Sequence, residues 1–334
     1  MYITPEVLYD FTQKFVEKKA NAERSIIAAY LRGSLVFGSP LLGGTGDIDL
    51  VFIHSAPPEI DREIERLTPE IHYDIEHHDQ LMYKDMRQLR VHPWLGHSLY
   101  DAKPLYDPQH FLDYIQAGVR GQFYRPDYVL QRAKAGLEDA RQFWMDQQLS
   151  DIPAGPDEIE GYLTAVEQAV NGINLLTGPA LPTRRLGMDF AKRAKAVKHP
   201  KLYQGFLALL GGSSKSSEAL RKWIPLWAES LDALPEDKCP VNLHPHRRGY
   251  YKQCLEALLE SDQPESMLWP LLKTWTQAAT VLPAGHFAVR SWEQACDGLG
   301  LCGEDFSDRL RALDAYLDGV ADVLNSWGIE QGAG

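Results

Sequence analysis

Cysteine is scarce in this chain of 334 residues, with four in all and no C-x-x-C pair among them. That spacing excludes a disulfide framework and a cysteine-built zinc site. Cys239, Cys254, Cys296 and Cys302 read as reduced thiols of a cytoplasmic protein. No stretch approaches the ~18 apolar residues that a membrane-spanning helix needs, so no membrane partner is expected. The opening MYITPEVLYDFTQKFVEKKA carries charge throughout and has no apolar h-region, so no secretory signal is expected there. Positive charge is the scarcer sign: 34 Lys and Arg face 46 Asp and Glu, a formal net charge of −12. Nucleic-acid affinity comes largely from phosphate neutralisation, so nucleic acid is a poor partner for the chain as a whole, a local basic patch excepted. Such acidity suits a cationic small substrate, but in most proteins it only confers solubility. Internal repeats and low-complexity tracts are absent.

What remains is the composition of a folded protein, 44% hydrophobic and 24% charged. Domains usually run to roughly 100–200 residues, so the length predicts two. Thr4 can cap a helix starting at Pro5, with Val7, Leu8, Phe11, Phe15 and Val16 on one face. Residues 25–31 read as a strand, followed by a Gly-rich stretch from Gly33 to Gly46 and a second strand at 48–54. Residues 58–67 and 80–90 look helical. Residues 70–78 alternate, with Ile71, Tyr73 and Ile75 opposite His72, Asp74 and Glu76, which predicts a half-buried strand. A last extended piece lies within 98–108. Beyond about residue 110 the pattern is helical, with helices expected at 127–148, 158–176, 184–197, 201–210, 217–233, 248–260, 264–280 and 305–326. Gly178-Pro179 ends the second of these, and Gly211-Gly212-Ser213-Ser214 reads as a flexible break, a sub-boundary near 211–216. The expected fold class is α+β: a small mixed-sheet domain over residues 1–110, then an all-α helical-bundle domain over 111–334.

The informative segment is YLRGSLVFGSPLLGGTGDIDLVFI, residues 30–53. Asp47 and Asp49 begin an apolar strand, and strand residues i and i+2 share a face. Two adjacent carboxylates repel unless a cation lies between them. Magnesium takes oxygen ligands and commonly binds carboxylates together with substrate phosphates. Upstream, Gly33-Ser34 follows a strand, with Gly38 four residues later. Glycine lets backbone approach a phosphate, and a serine hydroxyl can donate to a phosphate oxygen. A third carboxylate is available on the later strand, either Asp74 or Glu76, which share a face. Three converging carboxylates can hold two magnesium ions for phosphoryl or nucleotidyl transfer.

Leu31, Gly33, Ser34, Gly38, Asp47, Asp49 and then Asp74 or Glu76 resemble the signature of the DNA polymerase β-like nucleotidyltransferase superfamily. The resemblance covers about residues 25–108. Two departures are Arg32, between the apolar strand and Gly33, and Gly46, at a position often held by serine. The organisation is similar to that of the bacterial antibiotic nucleotidyltransferases, such as the kanamycin and streptomycin/spectinomycin adenylyltransferases, which join a small catalytic domain to a helical bundle. HPWLGHSLYDAKPLYDP is similar to their link between third acid and bundle. The helix at 158–176 with TGPALPTRRLGMDFAKRA resembles the helix-turn-helix of their bundle.

The resemblance implies an enzyme that passes AMP from ATP to a hydroxyl of a small-molecule acceptor, aminoglycoside-like, lying between the domains. Gly33, Ser34 and Gly38 would hold the triphosphate. Asp47, Asp49 and Asp74 would hold two Mg2+ ions, Asp74 being preferred to Glu76 for its apolar flanks and its spacing to 98–108. Some relatives use a glutamate as general base; Glu76 is one candidate, and Glu167, on a polar stripe with Glu160, Asn171 and Asn174, is another. That stripe otherwise reads as a solvated face. Nucleotidyl modification of a protein or an RNA end is a competing function, as is a non-catalytic nucleotide-binding role for the same fold. The intact Gly-Ser, Asp-x-Asp and third acid argue against the latter.

Weaker signals have plainer readings. The basic residues of 184–201, and HPHRRGYYK at 244–252, read as a solvated helix face and a charged loop, with one arginine or lysine available to touch a triphosphate. His72, His77 and His78 read as surface-strand histidines rather than zinc ligands. Trp223, Trp227, Trp269, Trp275 and Trp292 lie in helical patterns and read as core.

Overall fold

Thr4 stands extended before Pro5, and its hydroxyl accepts the Val7 amide at 3.4 Å. That cap, with proline at the first helical position, starts α1 (Pro5–Ala22). The computed structural model describes residues 4–38, 41–148, 154–212, 216–303 and 305–333. Ser213 and Ser214 of the expected break lie outside them.

Five strands follow from patterns of apolar and β-branched residues: β1 (Ile26–Arg32), β2 (Gly46–His54), β3 (Arg62–Arg66), β4 (Ile71–Asp79) and β5 (Lys103–Tyr106). Between the last two lie α2 (Met86–Val91) and α3 (Leu95–Asp101), and α4 (Phe111–Arg120) follows β5. The sheet order is β3-β4-β2-β1-β5. Only β2 and β4 run parallel; β1 pairs antiparallel with β2 and β5, and β3 with β4.

Period-two alternation divides the apolar residues between two faces. Ile48, Leu50, Phe52, Ile71, Tyr73 and Ile75 join the α1 residues Leu8, Val16 and Ala20 in one core. Val51, Ile53, Tyr30 and Ala28 pack with Leu89, Leu99, Leu112, Ile115 and Val119 of α2, α3 and α4 in a second. Asp47, Asp49, Asp74 and Glu76 fall on the sheet face of the second core.

Three expectations for this region need correction. Residues 58–67 are not helical, because Arg-Glu-Ile-Glu-Arg alternates and buries Ile64 from β3. The strand expected at 70–78 is not half-buried. It lies between β3 and β2, and His72, Asp74, His77 and His78 are buried with the apolar residues. The three histidines are therefore not surface groups.

Helices make up the rest: α5 (Pro126–Gln148), α6 (Pro156–Asn174), α7 (Thr183–Ala196), α8 (Lys201–Leu209), α9 (Ser217–Arg221), α10 (Trp223–Asp232), α11 (Arg248–Leu259), α12 (Leu268–Val281), α13 (Phe287–Leu299) and α14 (Asp305–Glu330). The chain is thus α+β, a mixed sheet followed by helices. The single helix expected at 217–233 is two, because Pro225 lacks an N–H and its ring would meet the carbonyl of Arg221. Neither α4 nor α13 was an expected element. Trp227, Trp269, Trp275 and Trp292 are fully buried, as their pattern predicts, while Trp223 is half-buried. Three indole N–H groups find hydroxyls: Trp227 on Thr274 at 2.9 Å, Trp275 on Ser230 at 2.7 Å and Trp292 on Thr276 at 3.0 Å.

The chain separates into two compact units, Met1–Arg125 with His244–Gln253, and Pro126–Leu243 with Cys254–Gly334. The first unit therefore takes in a short segment distant in sequence, including the first turns of α11. Among the described residues no helix is long and apolar enough to cross a membrane.

Lys19 of α1 ties down β3, reaching Glu63 at 2.9 Å and also Glu65. Burial pushes the Glu63 carboxyl up, but the hydrogen bond and charge of Lys19, with His77, bring it below its ordinary value of 4.5. A depressed carboxyl stabilises the fold above that ordinary value, and the contribution is lost as pH falls below it. Lys19→Met is expected to cost about 0.5–1 kcal/mol in urea unfolding at neutral pH. The gap to wild type should close as the pH is lowered below 4.5, and a constant gap down to strongly acid pH would count against the ion pair.

Candidate functional site

Three adjacent strands, β1, β2 and β4, and one turn build the site. β1 delivers Arg32, and the backbone then turns at Gly33, whose φ of +74° suits glycine alone. Three successive bonds close the turn: Val36 N–H to Gly33 O, Phe37 N–H to Ser34 O and Gly38 N–H to Leu35 O, at 3.1, 3.2 and 3.3 Å. It ends on Gly38, also left-handed. The chain returns along β2, which puts Asp49 opposite Arg32 on one side and opposite Asp74 of β4 on the other. One oxygen from each of Asp47, Asp49 and Asp74 lies within 4.8 Å of the other two.

Gly33 packs against this cluster. A Cβ added there would fall 1.9 Å from Asp49 Oδ2, so no other residue fits without moving the carboxylate. The Ser34 hydroxyl is buried and has no hydrogen-bond partner among the described residues. A buried hydroxyl without a partner costs about 1–3 kcal/mol, and its usual explanation is an absent water, ion or ligand.

Arginines crowd the carboxylates. Arg62 of β3 grips Asp74 with both ends of its fork, Nε on Oδ1 and Nη2 on Oδ2, each at 2.6 Å. Arg247 donates from Nη1 to Asp74 Oδ2 at 2.8 Å and from Nη2 to Asp47 Oδ2 at 3.4 Å. The Tyr250 hydroxyl donates to the same Asp47 oxygen at 2.6 Å. HPHRRGYYK is therefore not simply a charged loop, because Arg247 is buried on the carboxylates. Glu76 turns elsewhere, accepting from Arg32 through Oε1 and meeting His78 Nε2 at 3.2 Å through Oε2.

These surroundings set Asp49 apart from Asp74 and Glu76. Burial raises the Asp49 carboxyl well above the ordinary range and the Asp47 charge adds to the rise, against the pull of Arg32. Burial would raise Asp74 also, but the Arg62 hydrogen bond and the charge of Arg247 hold it below its ordinary value. At Glu76 the His78 hydrogen bond and Arg32 overcome burial and bring the carboxyl down to about 2.

Of the residues singled out in the sequence, Gly33, Ser34, Gly38, Asp47, Asp49, Asp74 and Glu76 fall in the first unit, and the three aspartates converge. Glu167 belongs to the second unit, on α6, with Lys273 Nζ 3.9 Å away. Burial raises its carboxyl, opposed by Lys273. Its stripe is not a solvated face: Lys273 also bonds Glu160 at 2.7 Å, and the buried Asn171 accepts from Leu181 N–H at 2.8 Å and from Asn174 at 2.9 Å. Arg62 is the site residue that the sequence did not single out, while Arg247 and Tyr250 belong to the 244–252 cluster, which the sequence marked without joining it to the carboxylates. The one available signal was charge: four carboxylates on one sheet face require cations nearby.

Magnesium fits this donor set. It consists of hard carboxylate oxygens from three residues, beside an orphaned hydroxyl and a glycine that places no side chain against Asp49. A scan against protein-family models and a search of curated proteins find no match to the chain. The functional reading therefore depends on the geometry of the site.

Two contrasts test that geometry in metal-free protein. Gly33→Ala is expected to cost about 1–3 kcal/mol from backbone strain and displacement of Asp49, whereas Ser34→Ala should stabilise the metal-free protein by about 1–3 kcal/mol because it removes a buried hydroxyl without a partner among the described residues. Asp49→Asn relieves burial and like-charge repulsion and should stabilise the protein by about 1 kcal/mol. Urea unfolding in a chelator reads all three, and a destabilised Asp49→Asn would mean that the carboxylate is held by attraction.

Proposed function

We propose that the chain is a cytoplasmic, magnesium-dependent nucleotidyltransferase that moves a nucleotide, AMP from ATP foremost, to a hydroxyl of a small acceptor. One observation carries the reading: the carboxylates of Asp47, Asp49 and Asp74 converge against a glycine-serine turn whose buried hydroxyl lacks a partner among the described residues. Structural carboxylates are ordinarily separated or fully paired. Here Asp49 is kept beside two like charges, which is unfavourable in the metal-free protein.

Asp47, Asp49 and Asp74 would hold two Mg2+ ions, which when bound lower the proton affinity of the attacking hydroxyl and neutralise charge on the departing pyrophosphate. Ser34 would donate to a triphosphate oxygen. Gly33 and Gly38 shape the turn so that its backbone lies close to the phosphates. Glu76 suits neither ligand nor base, since Arg32 and His78 engage both of its oxygens and its carboxyl is held near 2. Asp74 is the third ligand in this reading. Of the two glutamates expected as base, Glu167 belongs to the second unit, where burial raises its carboxyl. The helices of the second unit would then form a bundle of the kind found in antibiotic adenylyltransferases, and an acidic chain would suit a cationic, aminoglycoside-like acceptor.

A second reading, a non-catalytic nucleotide-binding protein of this fold, draws on Arg62 and Arg247, which occupy Asp74 from two directions. Incubation with Mg2+ and each of four labelled nucleoside triphosphates separates the two, using aminoglycosides, bulk tRNA and the protein itself as acceptors. Pyrophosphate release with label on a small molecule is expected, with ATP as donor. Asp47→Ala and Asp49→Ala should each lower transfer by at least about 10³-fold while the protein stays folded, the loss expected when a principal source of transition-state stabilisation is removed. A folded Asp49→Ala protein with full activity would overturn the mechanism, label on tRNA or protein would reassign the acceptor, and nucleotide binding without transfer to any acceptor would favour the second reading.

A further inference from the structure

Arg247 differs from the other arginines around the carboxylates. Arg62 is 28% exposed in its side chain, projects from the sheet itself and places its Nε and Nη2 on Asp74. Arg247 is 6% exposed in its side chain and bridges Asp74 and Asp47, which belong to different strands. It comes from a one-turn helix, Pro245–Arg247, immediately before α11, and so belongs to no strand of the sheet. Its guanidinium lies over the rings of Tyr250 and Tyr251, 5.0 and 5.5 Å from their centroids. Its Nε is buried and has no hydrogen-bond partner among the described residues. On the carboxylates, then, Arg247 uses only part of its donor set. A tetrahedral phosphate offers the paired oxygens that an arginine fork grips with Nε and Nη together.

Charge balance points the same way. Asp47, Asp49, Asp74 and Glu76 face Arg32, Arg62 and Arg247, four negative groups against three positive. The site is thus nearly neutral before any cation arrives. The oxygens that Arg247 holds, Oδ2 of Asp74 and Oδ2 of Asp47, are oxygens that a divalent ion would compete for. A metal ion entering alone must displace a guanidinium that then has no anion to pair with. A metal ion entering with a triphosphate brings that anion.

Resting on the nucleotidyltransferase reading, we infer that Arg247 is a positioning residue that stands in for the cation in the empty site and passes to the triphosphate when metal and nucleotide arrive together. It lowers affinity for metal alone and raises affinity for metal with nucleotide, so the two ligands bind cooperatively. Tyr250 and Tyr251 supply the surface on which the guanidinium turns, and the Tyr250 hydroxyl keeps Asp47 in place through the exchange.

Mn2+ binding, followed by electron paramagnetic resonance and calorimetry with and without a non-hydrolysable ATP analogue, tests this without turnover. In wild type, Mn2+ alone should bind weakly, and the analogue should tighten it on the order of tenfold or more, within the usual range of coupling between sites. Arg247→Met should bind Mn2+ alone about threefold more tightly than wild type and the Mn2+–analogue pair about threefold more weakly, which together remove a coupling of about tenfold. Arg247→Lys keeps the charge and loses the fork. It should match wild type for Mn2+ alone and bind the pair more weakly, and it serves alone should Arg247→Met fail to fold. Unchanged or weakened Mn2+ binding in Arg247→Met, or wild-type affinity for the pair in Arg247→Lys, would overturn the role of Arg247 and leave the nucleotidyltransferase reading intact. Wild-type protein that binds neither Mn2+ nor the pair would overturn both.

Discussion

The parallel pairing of β2 with β4 is the contact from which the site follows. Its register puts Asp49 opposite Asp74, and the pleat brings Asp47 onto the same face. Parallel strands are ordinarily buried on both sides, so these carboxylates are withdrawn from much of the water that would screen them. Repulsion in such surroundings is stronger than at a surface. The rest of the first unit can be understood as the means of holding that arrangement together. Two apolar cores clamp the sheet from opposite faces, Gly33 leaves room for Asp49, and arginines from three separate parts of the chain supply counter-charge.

The counter-charges are not equivalent. Arg32 is committed to Glu76, whose other oxygen meets His78, which in turn meets Tyr83. Arg62 is committed to Asp74. Arg247 is divided between two acids and keeps a donor in reserve. A buried ion pair is weak evidence for stability, because desolvation opposes the Coulomb gain. Its more informative property is whether the partners could be better satisfied elsewhere, and Arg247, divided between two acids with its Nε unpaired among the described residues, has that property.

The sequence made the strands of the site legible because their signals are local. Gly33-Ser34, the Asp47/Asp49 pair and the alternation of 71–76 each depend on neighbours a few residues away. β3 was misread because five alternating residues with one apolar member resemble a charged helix until β4 supplies a partner. Pro225 could have been read as the start of α10, since its effect is also local. Arg247 and Tyr250 could not be found by pattern, because about 200 residues separate them from the acids they contact. The burial of His72, His77 and His78 was hidden for the same reason: alternation shows that a strand has two faces, while neighbouring strands decide whether both are covered.

The first unit is not continuous in sequence. Its sheet is complete by Tyr106 and its last helix before the crossing ends at Arg120, yet it also requires His244–Gln253. During synthesis the sheet and its helices can therefore assemble well before the segment bearing Arg247 and Tyr250 has left the ribosome. For that interval Asp47 has neither of those donors, and Asp74 has only Arg62. The carboxylates then carry less counter-charge than in the finished chain, so the last-made part of this unit is the part that balances it.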